Sequence, residues 1–118
     1  MEFLLIGLGA VFGAVSRYII GQLIASEVFP LSTLVVNTIG SLLLGIATGL
    51  SLGTSYLIFG VGFCGSFTTF SSFSFQTVDL LSRGRRKLAV YNAGFNLALC
   101  VCAVYVGISV STYIRFLW

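Results

Sequence analysis

Four stretches of this chain, each about twenty residues or longer and nearly free of charge, follow one another with little between them. A helix needs about 20 mostly apolar residues to cross a bilayer. The stretches run from Phe3 to Ile24, Leu31 to Leu52, Tyr56 to Leu81 and Leu88 to Leu117. The breaks between them carry turn chemistry. Ser26-Glu27-Val28-Phe29-Pro30 holds a charge and the only proline, Gly53-Thr54-Ser55 is a short polar turn, and Ser82 to Lys87 is a basic loop. Composition excludes the soluble alternative. Only 8% of the 118 residues are charged and 58% are hydrophobic, against about 25% charged in a soluble domain. The expected fold is an all-α membrane protein of four transmembrane helices, one domain over residues 1–118. Met1-Glu2 lacks the basic start of a signal peptide, so the first stretch is expected to stay in the mature protein.

The few charges are unevenly placed. Arg83, Arg85, Arg86 and Lys87 share one loop, and Arg115 lies on the opposite side with both termini. The positive-inside rule then puts the 83–87 loop in the cytoplasm and the termini outside, in a multi-pass plasma-membrane protein. With no second basic patch, nucleic acid is not an expected partner. There is no histidine, which removes histidine-based proton shuttling, metal binding and triad catalysis, and no enzyme activity is expected. Cys64, Cys100 and Cys102 are odd in number, lack a CxxC and lie in apolar segments, so they read as small buried hydrophobes.

The third stretch is a poor continuous helix. Between Gly60 and Ser74 it packs three glycines and six hydroxyl residues into fifteen positions. A break at membrane depth is tolerated only where protein buries it or water reaches it. Such breaks recur where transport proteins bind ions through freed backbone groups. Phe70 and Phe73 share a face if helix resumes after the break. Ser71, Ser72 and the neighbouring threonines mix hydroxyl donors with these rings, whose weakly positive edges tolerate an anion without trapping it.

Polar groups inside the other spans are functional suspects by default. Thr33, Asn37, Ser41 and Thr48 fall within an arc of roughly 80° on the second span. Asn92, Asn96 and Cys100 repeat the pattern on the fourth at i, i+4 and i+8. Such residues serve either as hydrogen-bonded glue between helices or as a polar path. Arg17, about 10 Å from the end of the first span, either snorkels to the interface or adds positive potential at a pore mouth. No acidic residue lies inside a span: Glu2, Glu27 and Asp79 are all at or near ends. A proton-coupled four-helix multidrug exporter needs an embedded carboxylate, so that reading is disfavoured. One embedded arginine suits an anion better. Gly9/Gly13 and Gly45/Gly49, at four-residue spacing, read as close helix packing. These pairs and the basic loop alone would also suit a non-conducting assembly subunit, which the polar stripes on three spans argue against.

The segment Gly62-Phe63-Cys64-Gly65-Ser66-Phe67-Thr68-Thr69-Phe70-Ser71-Ser72-Phe73-Ser74 resembles the signature of the Fluc/CrcB fluoride channel family. Leu34-Val35-Val36-Asn37 and Gly13-Ala14-Val15-Ser16-Arg17-Tyr18 fit the same family, and the likeness covers the chain in length, span count and motif order. The resemblance implies a passive fluoride-selective channel that lowers cytoplasmic fluoride and protects against its toxicity. It implies an antiparallel dimer of four-span subunits with two pores and a broken third span. It further implies a structural, untransported Na⁺ on the backbone carbonyls of Gly65 and Thr68. By motif match, Phe70 and Phe73 line the pore, Asn37 is a pore-facing donor with Thr33 one turn away, and Arg17 stands near the aqueous entrance. Asn92, Asn96 and Cys100 take the place of the fourth-span polar track. Ser66 stands where the family usually has glycine, and Cys100 where it usually has a hydroxyl. The four-to-one Lys/Arg bias also departs from members that insert both ways. It predicts one orientation, and so an oppositely oriented homologous subunit as partner rather than a second copy.

Overall fold

Apolar residues with few breakers produce helices wherever the chain can satisfy its own backbone in lipid. In the computed structural model, which describes residues 1–117, those helices are α1 (Glu2–Leu23), α2 (Leu31–Gly49), a π-helical segment (Leu57–Cys64) that runs into the single turn α3 (Gly65–Phe67), α4 (Phe70–Ser82) and α5 (Arg86–Leu117). Among the described residues, four spans are long and apolar enough to cross a membrane, the third being Leu57–Ser82. α5 has 32 residues, about 48 Å at 1.5 Å per residue, so it outruns a hydrocarbon core of about 30 Å. The molecule measures 51 × 30 × 21 Å.

Two helix pairs make up the bundle. α1 lies on the π-helical segment, and α2 lies on α5. Without a hydrophobic drive between helices in lipid, contact depends on how closely backbones approach. A side chain at Gly9 would run into the Ile58 carbonyl, and one at Gly13 into the Phe63 carbonyl and Ser66 Oγ. On the other pair, Gly45 faces the Val104 carbonyl, Gly49 faces Ser111 Oγ, and Gly107 faces the Leu42 carbonyl. Both sequence-read glycine pairs therefore sit at helix contacts, and Gly62 and Gly107 complete them from the opposite helices. Large apolar side chains face outward instead, as Phe3, Phe12, Leu97 and Tyr105 do.

Three features differ from the sequence reading. α2 ends at Gly49 rather than Leu52, because Ser51 takes a positive φ of 53° and Arg115 reaches back from α5. Its Nη1 donates to Gly49 O at 3.2 Å and to Ser51 Oγ at 3.0 Å, which caps α2 from a helix 66 residues away in sequence. The basic loop is shorter than Ser82 to Lys87. Gly84, at φ 73°, closes α4 with Arg85 N–H on Leu80 O and Gly84 N–H on Leu81 O. That paired closure is a Schellman motif, and it leaves Arg86 and Lys87 in the first turn of α5. The cysteines are not uniformly buried: Cys64 is, Cys100 is half-buried, and Cys102 is exposed on the outward face of α5. A thiol small and apolar enough for a core is equally at home against lipid, so burial did not follow from residue type.

Candidate functional site

The third span breaks between Phe67 and Phe70. Thr68 (ψ 158°) and Thr69 (φ −148°, ψ 112°) are extended, and α4 restarts with Thr69 as its N-cap. In a continuous helix the Thr69 N–H would go to Gly65 O and the Ser72 N–H to Thr68 O. Instead Thr69 N–H donates to Asn37 Oδ1 at 2.8 Å, and Ser72 N–H donates to Thr69 Oγ1 at 3.2 Å. Asn37 Nδ2 completes the pairing by donating to Thr69 O at 3.2 Å. One side-chain amide on α2 thus serves the extended Thr69 on both its backbone groups, as a neighbouring strand would. Gly40, one turn from Asn37, has no side chain to collide with Thr68 Cγ2, so the break can seat against α2.

The asparagines form a continuous track behind the break. Asn37 Nδ2 also donates to Asn96 Oδ1 at 3.1 Å. Asn96 Nδ2 donates to Asn92 O and Oδ1 at 3.1 and 3.0 Å. Asn92 Nδ2 donates to Thr77 Oγ1 at 2.8 Å, and the Thr77 hydroxyl donates to Phe73 O at 2.8 Å. Asn92 is fully buried and Asn96 nearly so. These contacts tie α2, α5 and α4 together around Thr69.

Two cavities meet at Thr69. The larger, about 770 Å³, is lined by Asn37, Gly65, Thr68, Phe70, Phe73, Asn96 and Cys100 along with Thr69. Phe70 and Phe73 do share a face, with ring centroids 5.6 Å apart and planes at 52°. Phe70 is 79% exposed, so this cavity is a groove open on the side of the molecule. The smaller, about 280 Å³, is lined by Arg17, Thr33 and Ser72 with Ser32 and Thr69. Arg17 is half-buried, and among the described residues no carboxylate lies within ion-pair distance of it. Ser71 is exposed and lines neither cavity, though its hydroxyl is 3.3 Å from Thr69 Oγ1. Asn92 also lines neither and acts only through the track.

Several participants escaped the sequence reading. Thr69 is the hinge of the site, and its only sequence mark is being the second of two threonines before Phe70. Thr77 follows Thr69 and Phe73 at four-residue steps, a spacing that marks one face of α4. Gln76 carries a buried Oε1 with no hydrogen-bond partner among the described residues. Ser66 Oγ lies 2.8 Å from Ala10 O and 2.9 Å from Gly62 O, sharing its one hydroxyl proton between them, and fills the space that Gly13 leaves. The break therefore accommodates a hydroxymethyl at that position by exchanging it for a side chain on α1.

Comparisons with known proteins place the chain in a family. Residues 4–108 match the family described as CrcB-like protein, camphor resistance (CrcB). The chain is 48% identical over 101 residues to the fluoride-specific ion channel FluC 2 of Haloarcula marismortui, covering 85% of each chain. It is 43% identical over 112 residues to the fluoride-specific ion channel FluC of Methanocaldococcus jannaschii, covering 90% of each. A third relative, FluC 1 of Symbiobacterium thermophilum, is 37% identical over 119 residues, covering 92% of this chain and 96% of its own. These relatives are ion channels and not enzymes. With a family model matching residues 4–108 and relatives matching over 85–90% of its length, the chain belongs to the CrcB family.

Proposed function

We propose that this protein is a fluoride-specific channel in the plasma membrane, passing fluoride passively and so lowering its cytoplasmic level. The observation that carries the reading is the meeting of two cavities at Thr69, one holding the unpaired Arg17 and the other the Phe70/Phe73 rings, with no carboxylate lining either. Fluoride is small and strongly hydrated, so a pore for it must replace water with donors. The hydroxyls of Thr33, Thr69 and Ser72 supply them, and α4 begins at Phe70, where unpaired N–H groups add partial positive charge. Arg17 draws the anion toward the smaller cavity. Phenyl edges at Phe70 and Phe73 then tolerate it weakly, which favours release. Asn37, Asn96 and Cys100 line the same groove, and the Asn37 amide holds its wall. An inside-negative potential favours anion exit by about 2.3 kcal/mol per 100 mV.

Dimerisation belongs to this reading. Phe70 is exposed in the single chain, and the groove beside it needs a cover before it can exclude other ions. An antiparallel partner supplies that cover. The four-to-one Lys/Arg bias favours an oppositely oriented homologous subunit over a second copy of this chain, with the 83–87 loop cytoplasmic and the termini outside. The residues at the break suit a structural Na⁺. Gly65 O and Thr68 O have both lost the helical donors that would pair with them, and a hard cation prefers such oxygens. Among the described residues no three His, Cys, Asp or Glu side chains cluster as an alternative set. When bound, the ion supplies positive potential and a bridge between subunits.

The decisive experiment is fluoride efflux from liposomes reconstituted with this chain, alone and with an oppositely biased homologue. Fluoride flux well above chloride flux is the expected result. No fluoride flux in either preparation, with the dimer shown intact, overturns the reading.

A further inference from the structure

The asparagine track has a direction that its donors and acceptors impose. The Thr69 N–H can only donate, so Asn37 must turn Oδ1 toward it, and does so at 2.8 Å. Asn37 then presents Nδ2 to Asn96, which must answer with Oδ1. That places Asn96 Nδ2 against Asn92 O and Oδ1. Asn92 is left with Nδ2 pointing at Thr77, and its partner there has to accept. The Thr77 hydroxyl accepts this bond and passes its own proton donor to Phe73 O at 2.8 Å. A hydroxyl is the smallest group able to do both. The track starts at Thr69 and ends at Phe73, so it leaves α4, crosses α2 and α5, and returns to α4.

We propose that Thr77 is a positioning residue: through Asn92 and Asn96 its hydroxyl sets which way the Asn37 amide faces, and so holds Thr69 in the break. The proposal deepens the channel reading and rests on it for its effect on flux, though not for its effect on the backbone. Without the Thr77 acceptor, Asn92 Nδ2 is left unpaired at a site with 0% exposure. Any rotation that relieves it sets donor against donor at Asn96. The next amide in line is Asn37, whose grip on Thr69 is what replaces the missing helical bond. Thr77 touches neither cavity, so its influence is indirect.

The test pairs Thr77→Val, which keeps the shape and removes the hydroxyl, with Thr77→Ser, which restores it. Two readouts are taken on the full chain in membranes: hydrogen exchange at the Thr69 amide, and fluoride and chloride flux. At metal sites, partners that orient a ligating group carry effects of about 10–100-fold. The expected result is exchange at Thr69 at least about ten-fold faster in Thr77→Val, fluoride flux lower by a similar factor, and both restored in Thr77→Ser. Unchanged Thr69 exchange in Thr77→Val overturns the proposal whatever happens to flux, as does a loss that serine fails to rescue. If Thr77→Val does not assemble, the wild-type chain still decides. Its Thr69 amide should exchange as slowly as the interior amides of α4, and fast exchange there overturns the proposal. A wild-type chain that passes no fluoride either alone or with an oppositely biased homologue, the dimer being intact, overturns the channel reading alone, since the exchange result does not depend on transport.

Discussion

Asn37 makes three hydrogen bonds: two meet the backbone groups of Thr69 at the break, and the third meets Asn96 Oδ1 on α5. Each buried orphan costs about 1–3 kcal/mol. Asn37→Leu leaves the Thr69 N–H, the Thr69 carbonyl and Asn96 Oδ1 without partners, so a loss of at least about 3 kcal/mol is expected. Denaturant titration of the micellar protein measures it, and liposome flux should fall with it. Phe70 behaves differently. It is exposed and its ring contacts only Phe73 among the aromatic pairs, so Phe70→Ile should reduce flux while leaving stability within about 0.5 kcal/mol. Full activity in the Phe70 variant would remove it from the pore. The Asn37 position was legible in the sequence as a costly polar residue in an apolar span. Its partner Thr69 was not, since hydroxyl residues are common and only the fold brings residues 37 and 69 together.

At the scale of helices, glycines act as spacers, and their neighbours decide which of them matter. Gly7 and Gly9 lie on the same helix two residues apart. A side chain at Gly7 meets nothing within 4 Å, whereas one at Gly9 meets the Ile58 carbonyl. Gly9→Ala should therefore destabilise by about 1–3 kcal/mol through overpacking, while Gly7→Ala should be neutral or gain up to about 1 kcal/mol in helix propensity. Unfolding of the two variants in the same detergent separates them. The sequence pattern Gly9/Gly13 pointed to this interface, but Gly62 and Gly107 lie outside any four-residue pair that faces their partners. The ends of α2 and α4 show a related limit. Gly84 closes α4 by a local rule that a glycine after a helix makes readable. The Arg115 cap that ends α2 joins positions 66 apart, and no local rule reaches it.

On the whole molecule, the proposed orientation rests on charge placement and the proposed assembly on the openness of the groove. A reporter fused after α5 should give signal from the outer side only. Replacing Arg85, Arg86 and Lys87 with glutamine, which leaves the Arg83–Asp79 ion pair in place, should give signal from both sides. Equal signal from both sides of the unaltered chain would remove the fixed orientation and favour pairing of the chain with itself. The long outward apolar faces fit a chain whose surroundings are lipid rather than water, and the exposed groove beside Phe70 is where the proposed partner would sit.

Hydropathy and charge count were enough for the membrane class, the four spans and the absence of an embedded acid. These depend on transfer free energies that accumulate residue by residue along the chain, independent of what packs where. The pairing of Asn37 with Thr69, the direction of the asparagine track, the division of the polar residues between two cavities and the ends of α2 depend on contacts between residues far apart in sequence. Hydrogen bonds are short and directional, so a shift of about 1 Å makes or breaks them. No periodicity in one helix specifies where another helix will place its donor, and that is why these features appeared only once the helices were packed.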